Sequence, residues 1–322
     1  MRPNPGSYTS CVTVPHLFEL LALLIGLLFG SFLNVCIVRL PAHQSIVNPR
    51  SHCRSCGHTV RWYDNLPVLS WLLLRARCRD CKAAISWRYP AIELAVGLWF
   101  ALCMNKAIAA MGNPLPLDAS QSVLVGQAFV SIALLGFLLI GLMVMDWQTQ
   151  RLPDAFTLTG TAIGLFLVSV RAFFLPPGQG DIVLDTTRQL RLSSPGSFAA
   201  QGNVFLTGAE ALVMGRVAAV AGAAFLLLAI RGIYKAVRKR DGMGLGDVKL
   251  LAMIAAFLGF GATLLAFFVA ALAAGVYGIA LIARGKAGAA TKLPFGSFLA
   301  AGGLFSALFA QQAMTWYAGL LR

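Results

Sequence analysis

Runs of about twenty consecutive apolar residues constrain this chain more than any other feature, because that is the length of helix needed to cross a bilayer. Such runs recur at 20–38, 91–111, 123–145, 155–175 and 211–230. The stretch 250–283 is too long for one crossing, and the Gly259, Phe260, Gly261 turn signal divides it in two. A last run covers about 298–320. The sequence therefore predicts an all-α polytopic membrane protein of about eight transmembrane helices. Composition agrees: 58% of residues are hydrophobic and only 12% charged, against about a quarter charged in soluble domains. The first run lacks a cleavage site and a basic leader, so it reads as a retained anchor.

The cations set the orientation, since cytoplasmic loops keep an excess of Lys and Arg. Nine of the 26 lie between Arg39 and Arg88, six between Arg231 and Lys249, and three between Arg284 and Lys292, with Arg151 alone after the third long run. Alternating crossings put all of these on one side and predict an external N-terminus. The net charge of +14 is then explained by topology and anionic lipid headgroups, with no nucleic acid implied. Three segments follow: an N-terminal helix over 1–40, a cytoplasmic loop over 41–90, and a helical region over 91–322 carrying an external loop at about 176–208. Within that loop, short strands are expected around 182–184 and 190–192.

Two CxxC pairs, Cys53 with Cys56 and Cys78 with Cys81, stand 21 residues apart in the cytoplasmic loop. Short CxxC turns place both sulfurs on one side, so two of them suit a tetrahedral four-thiolate zinc ion. The alternative of two disulfides is disfavoured in a reducing compartment. His52 and His58 flank the pairs as possible substitute ligands. The run 66–74 is too short to cross and is expected at the interface or against the cysteine knuckles, while Cys11, Cys36 and Cys103 read as packing residues.

Only twelve acidic residues exist, and ionisable groups at membrane depth are costly and usually functional. Asp146 closes the third long run, where a helix C-terminus would favour a cation instead. Asp247 lies in GMGLGDVKL, and Gly244 and Gly246 allow a second backbone to approach closely. Alternation places both aspartates at the cytoplasmic edge, where two carboxylates can share one proton: one acts as general base on water, the other as general acid toward a peptide carbonyl. Asp154, after Pro153, is expected to cap the fourth long helix and Glu210 to pair with Arg216, while Glu93, just after Arg88, reads equally as the partner of a cationic neighbour or as a functional carboxylate. A serine mechanism has no base, because His16, His43, His52 and His58 all lie in the N-terminal fifth, none inside an apolar run. A proton- or cation-coupled transporter is the alternative use for paired aspartates, although such sites favour the midplane and inverted repeats.

Six segments, in order, carry a resemblance: FGSFLNVCIVRLP from 29, the double CxxC loop, RYPAIE from 88, DWQTQRLPD from 146, GMGLGDVKL from 242 and KLPFGSFLA from 292. Together they resemble the bacterial type IV prepilin peptidases of the GxGD aspartyl protease group. The resemblance implies Asp146 and Asp247 as the catalytic pair, and prepilins and the pilin-like subunits of type II secretion as substrates, cut after a short basic leader at the inner membrane. It also implies N-methylation of the new N-terminal residue with S-adenosylmethionine, located in the region of the cysteine loop. No residue for the methyl donor is readable from the sequence.

Overall fold

A computed structural model describes residues 9–111, 119–174, 208–239, 244–285 and 293–320. Among these, nine α-helices follow in order: α1 Thr9–Arg39, α2 Leu69–Leu73, α3 Arg88–Met111, α4 Ala119–Thr149, α5 Asp154–Phe174, α6 Gly208–Arg238, α7 Leu245–Leu258, α8 Phe260–Ala283 and α9 Phe295–Leu320. Every apolar run read from the sequence is a helix, and α2 is the short run between the cysteine pairs. Six of them, α1, α3, α4, α5, α6 and α8, are long and apolar enough to cross a membrane. The chain is a multi-pass membrane protein. The expected strands of the 176–208 loop lie outside the described residues, as does the side chain of Glu210, expected beside Arg216.

Small residues let the helices touch. Gly26 and Gly30 form a GxxxG pair on α1, the spacing that brings two membrane helices into close packing. A Cβ on Gly30 would lie 2.6 Å from Glu93 Cα, and one on Gly26 2.8 Å from Gly97 Cα, so α1 and α3 pack backbone to backbone. The helix α7 has 14 residues, about 21 Å at 1.5 Å each, against the roughly 30 Å of hydrocarbon a crossing needs. Ten of its residues, including Leu250 through Phe257, are buried, so α7 is an internal strut surrounded by protein. Gly259, at φ 84°, ends it: a left-handed backbone there is cheap for glycine, and its N–H closes the helix on the Ala255 carbonyl at 2.9 Å. The chain then turns into α8, placing the break where the glycine signal put it. Arg216 of α6 lies against this turn, where a Cβ on Gly259 would come within 2.5 Å of its Nη1.

The return of α8 brings α9 antiparallel to it. Ser306 hydrogen-bonds to the Ala262 carbonyl near the start of α8, while Tyr277 near its end stacks on Phe298 at 5.4 Å. The start of α9 therefore lies at the same end of the bundle as the end of α4 and the start of α7.

Candidate active site

Three helix ends meet there. The helix α4 stops just after Asp146: Gln150 takes a left-handed φ of 51°, and its N–H reaches the Asp146 carbonyl at 2.9 Å. Pro153 forbids continuation, and α5 begins one residue later. The helix α7 starts from Gly244 as N-cap, which makes Asp247 the third residue of its first turn. At that position a carboxylate folds back onto the N-cap N–H, and Asp247 accepts the Gly244 N–H in this way. The helix α9 starts after Pro294 and presents Gly296 and Ser297 in its first turn.

Asp146 is held by that third end. Its Oδ2 accepts the Ser297 N–H at 2.7 Å, and Ser297 Oγ lies 3.0 Å from both this oxygen and the Met143 carbonyl, with one proton to give to either. Free amides at a helix N-terminus carry partial positive charge, so the first turn of α9 is a natural seat for a carboxylate. Asp146 is 5% exposed and Asp247 9%, and both stand at this end of the bundle. Leu152, in the α4–α5 turn, packs between Gly246 of α7 and Gly296 of α9. A Cβ on Gly246 would sit 3.1 Å from Leu152 Cβ, and a Cβ on Gly296 would sit 3.0 Å from both Leu152 Cδ1 and Asp146 Cγ. The two glycines are thus the room that lets α7 and α9 close on the turn. Trp147, next to Asp146 but 54% exposed, stacks with Tyr277 and Phe298 at the rim.

Two expectations are corrected. Asp154 does not cap α5 through its own side chain; it is the first helical residue, and its Oδ1 pairs with Lys249 Nζ at 2.6 Å. The helix start is closed instead by the Pro153 carbonyl, which accepts the Phe156 and Thr157 N–H groups. Lys249 lies two residues beyond Asp247, so this pair ties α5 to the strut. Among the described residues Glu93 pairs with no cation: its Oε2 accepts the Val68 N–H at 2.7 Å, and Ser31 and Asn34 lie beside it.

Ser297 and Gly296 were missed as site residues, although PFGS is a readable helix start, with Pro at the cap and small polar residues behind it. If Gly296 is the room Asp146 needs, Gly296→Ala drives a methyl into the carboxyl group, and any chemistry that Asp146 performs slows roughly a hundredfold, the cost of about 1 Å of misplacement. Ser297→Ala keeps the N–H bond and loses one side-chain donor, so its loss stays near tenfold. Initial rates on one substrate check the order; equal rates for the two variants would contradict this seating.

The cysteine loop folds as two matching knuckles. In each, the first Cys N–H bonds the carbonyl five residues on, His58 or Ala83, at 2.8 Å, and a left-handed residue follows the second Cys, Gly57 at φ 73° or Lys82 at φ 60°. The sulfurs of Cys53, Cys56, Cys78 and Cys81 lie within 4.8 Å of one another, with Cys53 and Cys81 at 3.7 Å. A tetrahedron with metal–sulfur bonds of about 2.3 Å has edges of about 3.8 Å, whereas disulfide sulfurs stand about 2.05 Å apart. The donor set therefore fits a thiophilic metal, and His52 and His58 stay outside it. Backbone N–H groups of Cys56 and then Ser55 stabilise the Cys53 thiolate and push it down to about 6, the form a metal takes. Asp64 and Arg79 brace the loop through a two-pronged pair at 2.5 and 2.8 Å, and the guanidinium holds Asp64 below the usual carboxylate range.

Comparison with known proteins agrees with this arrangement. Residues 24–107 match the Bacterial Peptidase A24 N-terminal domain, a range that includes the four cysteines and Glu93, and residues 191–279 match the Type IV leader peptidase family, a range that includes Asp247. The chain is 34% identical to a prepilin leader peptidase/N-methyltransferase of Myxococcus xanthus over 86% of its own length and 67% of that protein. It is 32% identical to a protein of the same description from Burkholderia pseudomallei strain 1026b, over 96% of this chain and 95% of the relative. A third relative of that description, from Stutzerimonas stutzeri, is 30% identical over 94% of each chain. No solved structure matches. With relatives of this description 30–34% identical over most of its length, the chain belongs to the family of the prepilin leader peptidase/N-methyltransferases.

Proposed function

We propose that the chain removes the leader from prepilins and pilin-like subunits with Asp146 and Asp247, and that it then N-methylates the exposed residue with S-adenosylmethionine. The observation that carries the peptidase reading is that two buried carboxylates stand at one end of the bundle, on helix ends that pack against the same residue, Leu152. Two carboxylates that sense each other's charge hold one proton between them more readily than none. The ionised member takes a proton from water as its oxygen attacks the scissile carbonyl carbon. The protonated member donates to the carbonyl oxygen, and the collapsing tetrahedral species takes a proton onto the departing amine. Backbone donors on each carboxylate, Ser297 N–H on Asp146 and Gly244 N–H on Asp247, hold both in position without consuming a charge.

All eight long helices cross the inner membrane in this reading, α7 with the help of its protein surroundings. The N-terminus is external, and the aspartates and cysteine loop face the cytoplasm, as the cation distribution requires. A leader kept inside and joined to an apolar helix then brings its scissile bond to the aspartates. Zinc occupies the four thiolates and holds the loop together; the site's sulfur spacing supports it. The coupled-transporter alternative gains no support from the relatives.

Purified protein incubated with a prepilin and S-adenosylmethionine tests both activities in one mass spectrum. The expected product has lost its leader and gained one methyl group on the new N-terminus; an intact prepilin after prolonged incubation would refute the reading.

A further inference from the structure

A cavity of about 780 Å³ lies between the α1–α3 pair and the cysteine loop, away from the aspartates. That volume is within the roughly 300–1,000 Å³ of ligand sites. Its floor is helix and its roof is the two knuckles, which border it through Cys53 and Cys78. Three polar side chains that line it are buried. Arg39, ending α1, donates to the Ser45 carbonyl at 3.0 Å, Asn34 donates to the Tyr89 carbonyl at 3.1 Å, and Glu93 is 8% exposed. Trp71 also lines the space, with its indole fixed by an N–H bond to the Ile85 carbonyl at 3.1 Å.

Glu93 is the unusual member. It accepts the Val68 N–H, and its neighbours Ser31 and Asn34 are neutral too, so among the described residues a buried carboxyl borders a large cavity with no cation paired to it. A cationic ligand centre would supply it. The remaining chemistry is complementary to the rest of one molecule: a guanidinium at Arg39 for a carboxylate and an indole for a purine. The location is also right for a second reaction on one substrate, because Glu93 opens α3 and Asp146 closes the antiparallel α4, which puts both at the same end of the bundle.

We infer that this cavity is the methyl-donor site and that Glu93, at its buried wall, takes the proton released when the substrate's new α-amino group is methylated. This rests on the N-methylation reading above and adds the residues that perform it. The amine, having given a proton to Glu93, attacks the methyl carbon with its lone pair. The carbon–sulfur bond breaks with its electron pair returning to sulfur, leaving S-adenosylhomocysteine and an N-methyl product. Glu93 passes the proton to water.

The test uses the full chain in detergent, with loop metal content measured for every variant. S-adenosylhomocysteine is titrated calorimetrically into wild type, Val38→Trp and Glu93→Gln, and methyl incorporation into leader-free pilin is followed by mass spectrometry. Val38 is a half-exposed wall residue, so the added indole fills the cavity mouth and weakens binding at least tenfold. If that variant loses its metal, Ala83→Trp, entering from the roof, takes its place. Glu93→Gln still accepts the Val68 N–H, so binding stays within a few-fold while methyl incorporation falls at least about a hundredfold. Binding indifferent to the cavity-filling indoles, or methylation by Glu93→Gln at the wild-type rate, would overturn the proposal while leaving N-methylation standing. A wild type that cleaves leaders and never adds a methyl group would overturn the reading beneath it as well.

Discussion

Asp146→Asn and Asp247→Asn each reduce leader removal by about a thousandfold or more. Loss of one general acid or base costs roughly 10²–10⁴ in rate, and in the proposed mechanism each residue serves in both halves of the reaction. Folding is not the cause, because asparagine is nearly isosteric with aspartate. At 146 its carbonyl oxygen still accepts the Ser297 N–H, and at 247 it still accepts the Gly244 N–H. Loop metal content and thermal melting of the purified variants should therefore match wild type. Single-turnover assays on a prepilin, read by mass spectrometry, check the rate; either variant cleaving within tenfold of wild type would remove that residue from the chemistry.

Loss of the loop metal has the second large effect. The segment between α1 and α3 has two 3₁₀ turns, a five-residue helix and isolated bridges, and hydrophobic residues at its surface such as Trp62 and Leu73 are largely exposed. Such a segment has little core, so a metal held by the four thiolates would supply most of its folding energy. Structural zinc in small domains contributes about 10–16 kcal/mol. Cys53→Ser removes one thiolate of four, and the variant is expected to lose its metal and to give protease-sensitive sites between residues 50 and 86. Mass spectrometry of the intact metalloprotein and limited proteolysis report the two. The helices persist because their packing lies elsewhere, in the Gly26–Gly30 contact with α3 and the buried strut α7. A Cys53→Ser protein with full metal content and an intact loop would contradict the four-thiolate assignment.

Some of this was legible before any coordinates. Apolar runs report helices directly, because a chain in hydrocarbon has to satisfy its backbone internally, and even the α7–α8 break was marked by Gly259. The cysteine spacing gave the knuckles for a similar reason, since the geometry of CxxC is local. Contacts between distant segments were not readable. Ser297 meets Asp146 across 151 positions, and neither residue carries a local trace of the other. Asp154 shows the opposite failure: its place after Pro153 matched a cap pattern, but Lys249, 95 positions away, claims its carboxylate. For Glu93 the nearby Arg88 suggested a cation, whereas close packing of α1 on α3 surrounds it with a backbone amide and neutral side chains.

The most direct test of a shared site is the rate of leader removal by the double variant Asp146→Asn/Asp247→Asn beside the two single variants. Residues acting as one unit are non-additive, so the double variant is expected to be no slower than the worse single one. A double variant whose deficit equals the product of the single deficits would mean that the two carboxylates act independently, and the account of a paired site would fail.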